Sequence, residues 1–205
     1  IVGLADRSTI LHAHDSHALT LASLAKAMSG ARLVLTRRVD FAVRRLGFWR
    51  AADRIIAISD AVRLALVASG VPAEEITVVQ SGIAVDDVGR TARSDPRPAL
   101  GLAGGTPLII TTGALVGHKD HATLVRAAQL AARSRPDLHW AIVGEGDRRG
   151  ALEALIRELA LEGRVHLLGE VPDAVRLVAA ADLFVMSSAM EGLGTSVLDA
   201  MALGI

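Results

Sequence analysis

Two carboxylates and two glycines late in the chain define its chemistry. Glu191 opens a loop that carries Gly192 and Gly194, and Asp199 lies eight residues further on, one turn into a helical pattern. Ahead of the loop, Leu183–Met186 is a short apolar run of the length of a buried parallel strand. From Thr195 the period becomes helical, with Val197, Ala200 and Met201 at i, i+3 and i+4. A strand, a glycine loop and a helix N-terminus aim backbone N–H groups and the positive end of a helix dipole at one place, which suits phosphate. Carboxylates beside a phosphate would repel it, so Glu191 and Asp199 suit the hydroxyls of a sugar or a ribose. The implied ligand is a sugar joined to a nucleoside diphosphate.

Other residues compete for a role. Thr111–Gln129, "TTGALVGHKDHATLVRAAQ", puts Lys119 after a loop containing Gly113 and just ahead of a helix start. Its ammonium is a point charge for a diphosphate, with a solvated surface lysine as the alternative. The chain has only two lysines, Lys26 and Lys119, so one falls in the C-terminal half. Gly144-Glu145-Gly146 follows another strand and offers backbone to a phosphate or a base. "HAHDSH" (His12 to His17) sets His12 and His14 on one side of a strand, a spacing used by metal ligands, although Ser16 replaces the aspartate of the metallohydrolase pattern. A polar strand end is the other reading, and no metal is expected. Arg37 and Arg38 follow a strand and suit either an anionic acceptor or plain solvent.

The pattern S-x-x-E-G-x-G-x-x-x-L-D-A-M-A-x-G (Ser188–Gly204) resembles the signature of the family 4 retaining glycosyltransferases, which have the two-domain GT-B fold. The resemblance implies that Glu191 contacts the donor sugar. It further implies that the backbone of Gly192, Leu193, Gly194 and Thr195, with Lys119, holds the diphosphate, and that Asp199 holds the ribose in place of the family's usual Glu. Ala114 stands where the family has an Arg, and Arg37 where many relatives have a His. "TILHAHD" (Thr9–Asp15) is similar to a strand end on the acceptor side of the family's cleft, which places His12, His14 and Asp15 there with Arg37 and Arg38. The implied reaction moves a glycosyl unit from a nucleoside-diphosphate sugar to a sugar or lipid-linked acceptor, with retention and without metal or other cofactor. A non-catalytic nucleotide-sugar binding module is the rival reading, and a metallohydrolase built on His12 and His14 a distant third.

These residues need strands and helices to position them, and the punctuation supplies both. Strand patterns at Thr9–Ala13, Arg32–Thr36, Arg54–Ser59 and Ile76–Gln80 alternate with helical ones at Ser16–Met28, Phe41–Ala51 and Asp60–Ser69. A second series runs through strands Leu108–Thr112, Leu138–Val143, Arg164–Leu168 and Leu183–Met186. Its helices are Asp120–Arg133, Asp147–Leu161, Pro172–Ala180 and Thr195–Leu203. Such alternation predicts an α/β fold of two Rossmann-like parallel-sheet domains, whose ligands lie beyond the carboxyl ends of the strands. The predicted domains are 1–88 and 107–205, joined by a Gly- and Pro-rich linker, 89–106.

Totals narrow the partners. Lys and Arg number 22 and Asp and Glu 22, so charge gives no case for nucleic acid. The absence of cysteine excludes disulfides and thiolate chemistry. No apolar run reaches the length of a spanning helix, and a cytoplasmic place is expected. Residues 31–54 hold seven Arg with Phe41, Phe48 and Trp49, which suits either peripheral contact with an anionic inner membrane face or an ordinary helix with its aromatics inward. Both ends look cut, as for part of a longer chain.

Overall fold

The structure, a computed structural model, describes residues 2–41, 43 and 46–205. Contacts divide the chain into two units: Ile1–Ser81 with Met190–Leu193, and Gly82–Ala189 with Gly194–Ile205.

The first unit holds a parallel sheet of β1 (Ile10–Ala13), β2 (Arg32–Arg37), β3 (Arg54–Ala57) and β4 (Ile76–Val78), paired in that order. Helices α1 (Ser16–Ser29), α2 (Leu46–Trp49) and α3 (Asp60–Ala68) connect them. Asp15 starts α1 by accepting the Ala18 N–H at 2.7 Å, and Ser59 starts α3 by accepting that of Val62. Their short oxygens satisfy N–H groups that the first helical turn leaves unpaired. Leu33, Leu35, Ile55, Ala57, Val62 and Leu66 are buried together as the core.

The second unit pairs β5 (Leu108–Thr112), β6 (His139–Val143), β7 (Val165–Gly169) and β8 (Leu183–Phe184) in the order β7-β6-β5-β8, again all parallel. Along β5, Ile109 packs with α5 (His121–Ala131) and α6 (Arg149–Glu158). Its neighbours Leu108 and Ile110 pack on the other face with α7 (Val175–Val178) and α8 (Thr195–Leu203). A strand covered on both faces reads as a near-continuous apolar run, here Leu108–Ile110, before Thr111 and Thr112 at its carboxyl end.

Two expectations change. The helix predicted over Phe41–Ala51 is only α2 among the described residues, with residues 42, 44 and 45 of that stretch outside them; Trp49 is buried while Phe48 is exposed. Residues 89–106 are packed on the second unit and do not form a free linker, because Arg97 anchors them. Its guanidinium, buried to 6% exposure, donates to Thr106 O, Ala180 O, Asp95 and Asp182 over 2.6–3.0 Å. Asp182 also accepts the Leu108 N–H, so the clasp reaches the first residue of β5. Upstream of it, a further helix, α4 (Val85–Gly89), packs against α8. The unit boundary accordingly falls between Ser81 and Gly82, ahead of the predicted 88.

Candidate functional site

In the second sheet the strand order reverses at β5: the chain proceeds outward through β6 and β7, then returns to place β8 on the opposite side. Loops leaving β5 and β8 therefore part at their carboxyl ends, and that is where an open parallel sheet binds its ligands. The two loops are tied together, since Ala189 N–H donates to His118 O at 2.9 Å and the Ser187 hydroxyl to Lys119 O at 3.0 Å. Lys119 is half-buried there, with Cδ and Cε 3.7 Å from the position a Cβ on Gly113 would occupy.

The loop after β5 is also zipped to the loop after β6. Gly113 N–H donates to Val143 O, Leu115 N–H to Glu145 O, and Arg148 N–H to Leu115 O, each at 2.9 Å. Such close backbone contact needs glycine. A Cβ on Gly144 would strike the Gly113 carbonyl, with its carbon 2.8 Å away, and Gly144 adopts φ +146. Gly146 meets Leu115 in the same way, with Leu115 C at 2.7 Å. His121 braces the turn, with Nε2 3.3 Å from Ala114 O.

Beyond β8, Gly194 enters α8 in the left-handed conformation and no side chain caps the helix. The positive end of α8, beginning at Thr195, is thus uncovered by any capping oxygen, an arrangement that favours an anion. Asp199 lies further along α8, half-buried, and burial pushes its carboxyl above the usual range. Among the described residues it has no ion-pair partner, so a hydroxyl donor is the group that would satisfy it.

Glu191, Gly192 and Leu193 belong instead to the first unit. There the Ser59 hydroxyl, which also caps α3, donates to Gly192 O at 2.6 Å. A Cβ on Gly192 would collide with the Arg38 carbonyl, whose carbon is 3.0 Å away, while Leu193 packs on the core. The predicted phosphate loop is consequently divided: Gly194 and Thr195 group with Lys119, Gly113, Gly144 and Gly146, whereas residues 191–193 group with Arg38.

Most of the remaining first-unit candidates already have partners in the protein. His12 shares a 2.7 Å hydrogen bond with Thr36 and lies 4.2 Å from His14, ring to ring. Partial desolvation and then the neighbouring His14 lower its pKa. Asp15 is the α1 cap. Arg37 donates to Phe41 O at 2.7 Å and lies over the Trp49 ring at 5.3 Å, so it is turned into the fold, and burial pulls its pKa down. Arg38 is exposed. No group of three or more His, Asp or Glu side chains placed to hold a metal occurs among the described residues. Their helices include none long and apolar enough to cross a membrane.

Similarity to known proteins coincides with these two units. A family model described as glycosyl transferases group 1 matches residues 93–205, and one described as glycosyltransferase family 4 matches residues 4–87. The chain belongs to the group 1 glycosyl transferases. It is 32% identical over 125 residues, 61% of its length, to the N-acetylgalactosamine-N,N'-diacetylbacillosaminyl-diphospho-undecaprenol 4-alpha-N-acetylgalactosaminyltransferase of Campylobacter jejuni. It is 34% identical over 116 residues, 57% of its length, to the lipopolysaccharide core biosynthesis glycosyltransferase LpsE of Rhizobium meliloti. These alignments span 32% and 33% of the two relatives. Anabaena HepE, solved in complex with UDP-glucose, superposes with a TM-score of 0.82 at 24% identity over 95% of this chain and 57% of that one. The predicted α/β fold of two Rossmann-like units is therefore that of this group.

Four residues escaped the sequence reading. Arg97 looked like linker; Ser59 was legible only as a helix cap; His121 and Arg148 lay inside ordinary helix starts. Arg97, Ser59 and Arg148 act through partners distant in sequence and His121 through Ala114 in the preceding loop, and nothing in a single sequence marks such pairings.

Proposed function

We propose that the full-length protein is a retaining, metal-independent glycosyltransferase. It moves a glycosyl unit from a nucleoside-diphosphate sugar to a sugar or lipid-linked acceptor. The observation that carries this reading is the strand-order reversal at β5, where Lys119, the glycine-zipped loops and the uncapped start of α8 lie on the second unit. Negative charge grows on the departing diphosphate as the glycosidic bond breaks. A fixed cation and oriented N–H groups stabilise it without rearranging at the moment of reaction. Glu191 is assigned to the transferred sugar, Asp199 to the ribose, and His12, His14, Asp15, Arg37 and Arg38 to the acceptor side.

Membership of the group supports transfer chemistry, and the UDP-glucose in HepE makes a uridine nucleotide the first donor to try. The name of the Campylobacter relative, which specifies a diphospho-undecaprenol, supports a lipid-linked acceptor and hence work at the cytoplasmic membrane face. Ala114, in place of the family's Arg, favours the rival reading of a non-catalytic nucleotide-sugar binder.

The test is steady-state transfer by the full-length protein with a panel of nucleotide sugars, with and without chelator, the product anomer being read by NMR. Turnover with retention, unchanged by chelator, is expected; tight donor binding without turnover would establish the binder instead. In the same protein, Lys119→Ala should weaken UDP about tenfold, roughly 1.4 kcal/mol, and leave uridine unchanged. Equal losses for both would return Lys119 to the solvated surface.

A further inference from the structure

His139 and His166 stand on neighbouring strands, at the end of the second sheet opposite the glycine loops. His139 is the first residue of β6, and His166 is the second of β7, in register with Ala141. Side chains alternate along a strand, and Ala141 packs with α7 and α8 while Trp140 packs on the other face. Both imidazoles are therefore on the α7–α8 face, and both are half-buried.

Nδ1 of His139 lies 3.2 Å from Nε2 of His166. The ring planes are within 11° of each other and the centroids 5.5 Å apart, which matches the N···N distance plus two ring radii. The rings are thus nearly coplanar and meet nitrogen to nitrogen, so one N–H donates straight to the other ring's lone pair. A neutral pair can make this bond. A pair with one added proton makes it more strongly, since the charged ring then donates to the neutral one. With two added protons both meeting nitrogens carry hydrogen, no lone pair remains, and two like charges face each other.

The surroundings oppose protonation on balance. Arg164, just ahead of β7, donates to Pro136 O and is a cation beside His139. Asp137 acts against it, but its carboxylate already accepts two bonds from Arg135. On the same face α7 carries one charged residue, Arg176, which donates to Ala92 O; α8 carries Asp199, and β5 carries none. The Arg97 clasp ahead of β5 is ion-paired within itself, to Asp95 and Asp182. Burial and then Arg164 lower the pKa of His139, and burial and then His139 lower that of His166.

We propose that His139 and His166 form an acid-sensitive latch across β6 and β7, closed by one N–H···N bond while the pair holds at most one added proton and forced open by a second. The latch is independent of the glycosyl-transfer reading. Histidines of the unfolded chain titrate at about 6.5 and take up protons first. The stability that the latch gives is therefore complete above that value and is lost as pH falls through the folded values below it.

The test labels the histidine rings of the 205-residue chain with 15N. At pH 7.5 a scalar coupling between His139 Nδ1 and His166 Nε2 is expected across the hydrogen bond, and it should vanish in acid as amide protection in β6 and β7 falls. His166→Gln and His139→Asn each place an amide where the meeting nitrogen was, and an amide takes up no proton. Between pH 7.5 and pH 5 the wild-type folding constant, read by urea denaturation, should fall about tenfold further than that of either variant. Absence of the coupling at pH 7.5 would overturn the proposal. So would variants that lose stability in acid as steeply as the wild type does.

Discussion

The two parallel sheets contain four strands each but offer different kinds of site. The first runs β1-β2-β3-β4 in chain order, without a reversal among the described residues; the second reverses at β5. At the carboxyl ends of the first, candidate side chains have local partners: His12 with Thr36, Asp15 with the α1 N-terminus, Arg37 with Phe41 O and Trp49. At those of the second, backbone bonds between glycine-bearing loops create the arrangement, and the side chains rest on it. A site built from backbone depends on the absence of side chains and suits a ligand part common to many substrates, such as a diphosphate. A site built from side chains can change residue by residue, which suits an acceptor.

The largest expected effect tests the backbone half of this contrast. Gly144→Ala puts a Cβ against the Gly113 carbonyl at φ +146. Overpacking and backbone strain together should cost about 4 kcal/mol, read by urea denaturation, with UDP affinity lost in parallel. Gly150→Ala, in α6 with open space around it, should be neutral or stabilising by up to about 1 kcal/mol. If the two variants unfold alike, the interlocked loops are not what holds the second site.

Next in size is the side-chain half. Glu191→Gln keeps shape and removes charge, so kcat of the full-length enzyme should fall about 100-fold, in the range seen when a group stabilising the transition state is removed. UDP affinity should change little, because nucleotide recognition is assigned to the other unit. A wild-type kcat would show that the 191–193 segment serves only to dock on Ser59 and the first unit's core.

The same contrast explains what the sequence disclosed. Both sheets were legible because alternating apolar runs and helical periods are local signals; β5 and α8 fall on their predicted residues. Ser59 and Thr195 were legible as helix starts for the same reason. The Gly144 turn was visible, but its contact with Gly113 was not, since a close approach between two loops leaves no spacing pattern. Arg97 lay in a segment rich in Gly and Pro that predicts a linker, and only its bonds to Ala180 O and Asp182 reveal the clasp. The division of the 191–195 loop between two units was invisible as well, because it depends on Arg38 and Ser59, more than a hundred residues away.

The smallest effect distinguishes a carboxylate kept for a ligand from one kept for the fold, one from each unit. Asp53 in the first unit is structural. Desolvation, its largest influence, pushes the pKa up, but the bond from Lys26 at 2.8 Å and the Leu33 N–H at 2.7 Å outweigh it and hold the value down. A depressed pKa adds stability above the unfolded value of about 3.9, and that stability is lost as pH falls through the folded value. Asp53→Asn should therefore cost about 1 kcal/mol at neutral pH and less in acid. Asp199 is the opposite case. Its raised pKa comes from burial alone, so the unfolded chain releases the proton first and stability falls as pH rises through the interval above about 3.9. Asp199→Asn should then make the free protein slightly more stable at neutral pH, with the gain vanishing below the unfolded value, while weakening UDP more than its diphosphate fragment. Urea denaturation at pH 3.5 and pH 7 beside calorimetric titration measures both effects. Opposite signs in stability and binding are the mark of a group kept for a ligand at a cost to the fold. If Asp199→Asn destabilises the protein as Asp53→Asn does, its carboxylate serves the fold and the ribose assignment fails.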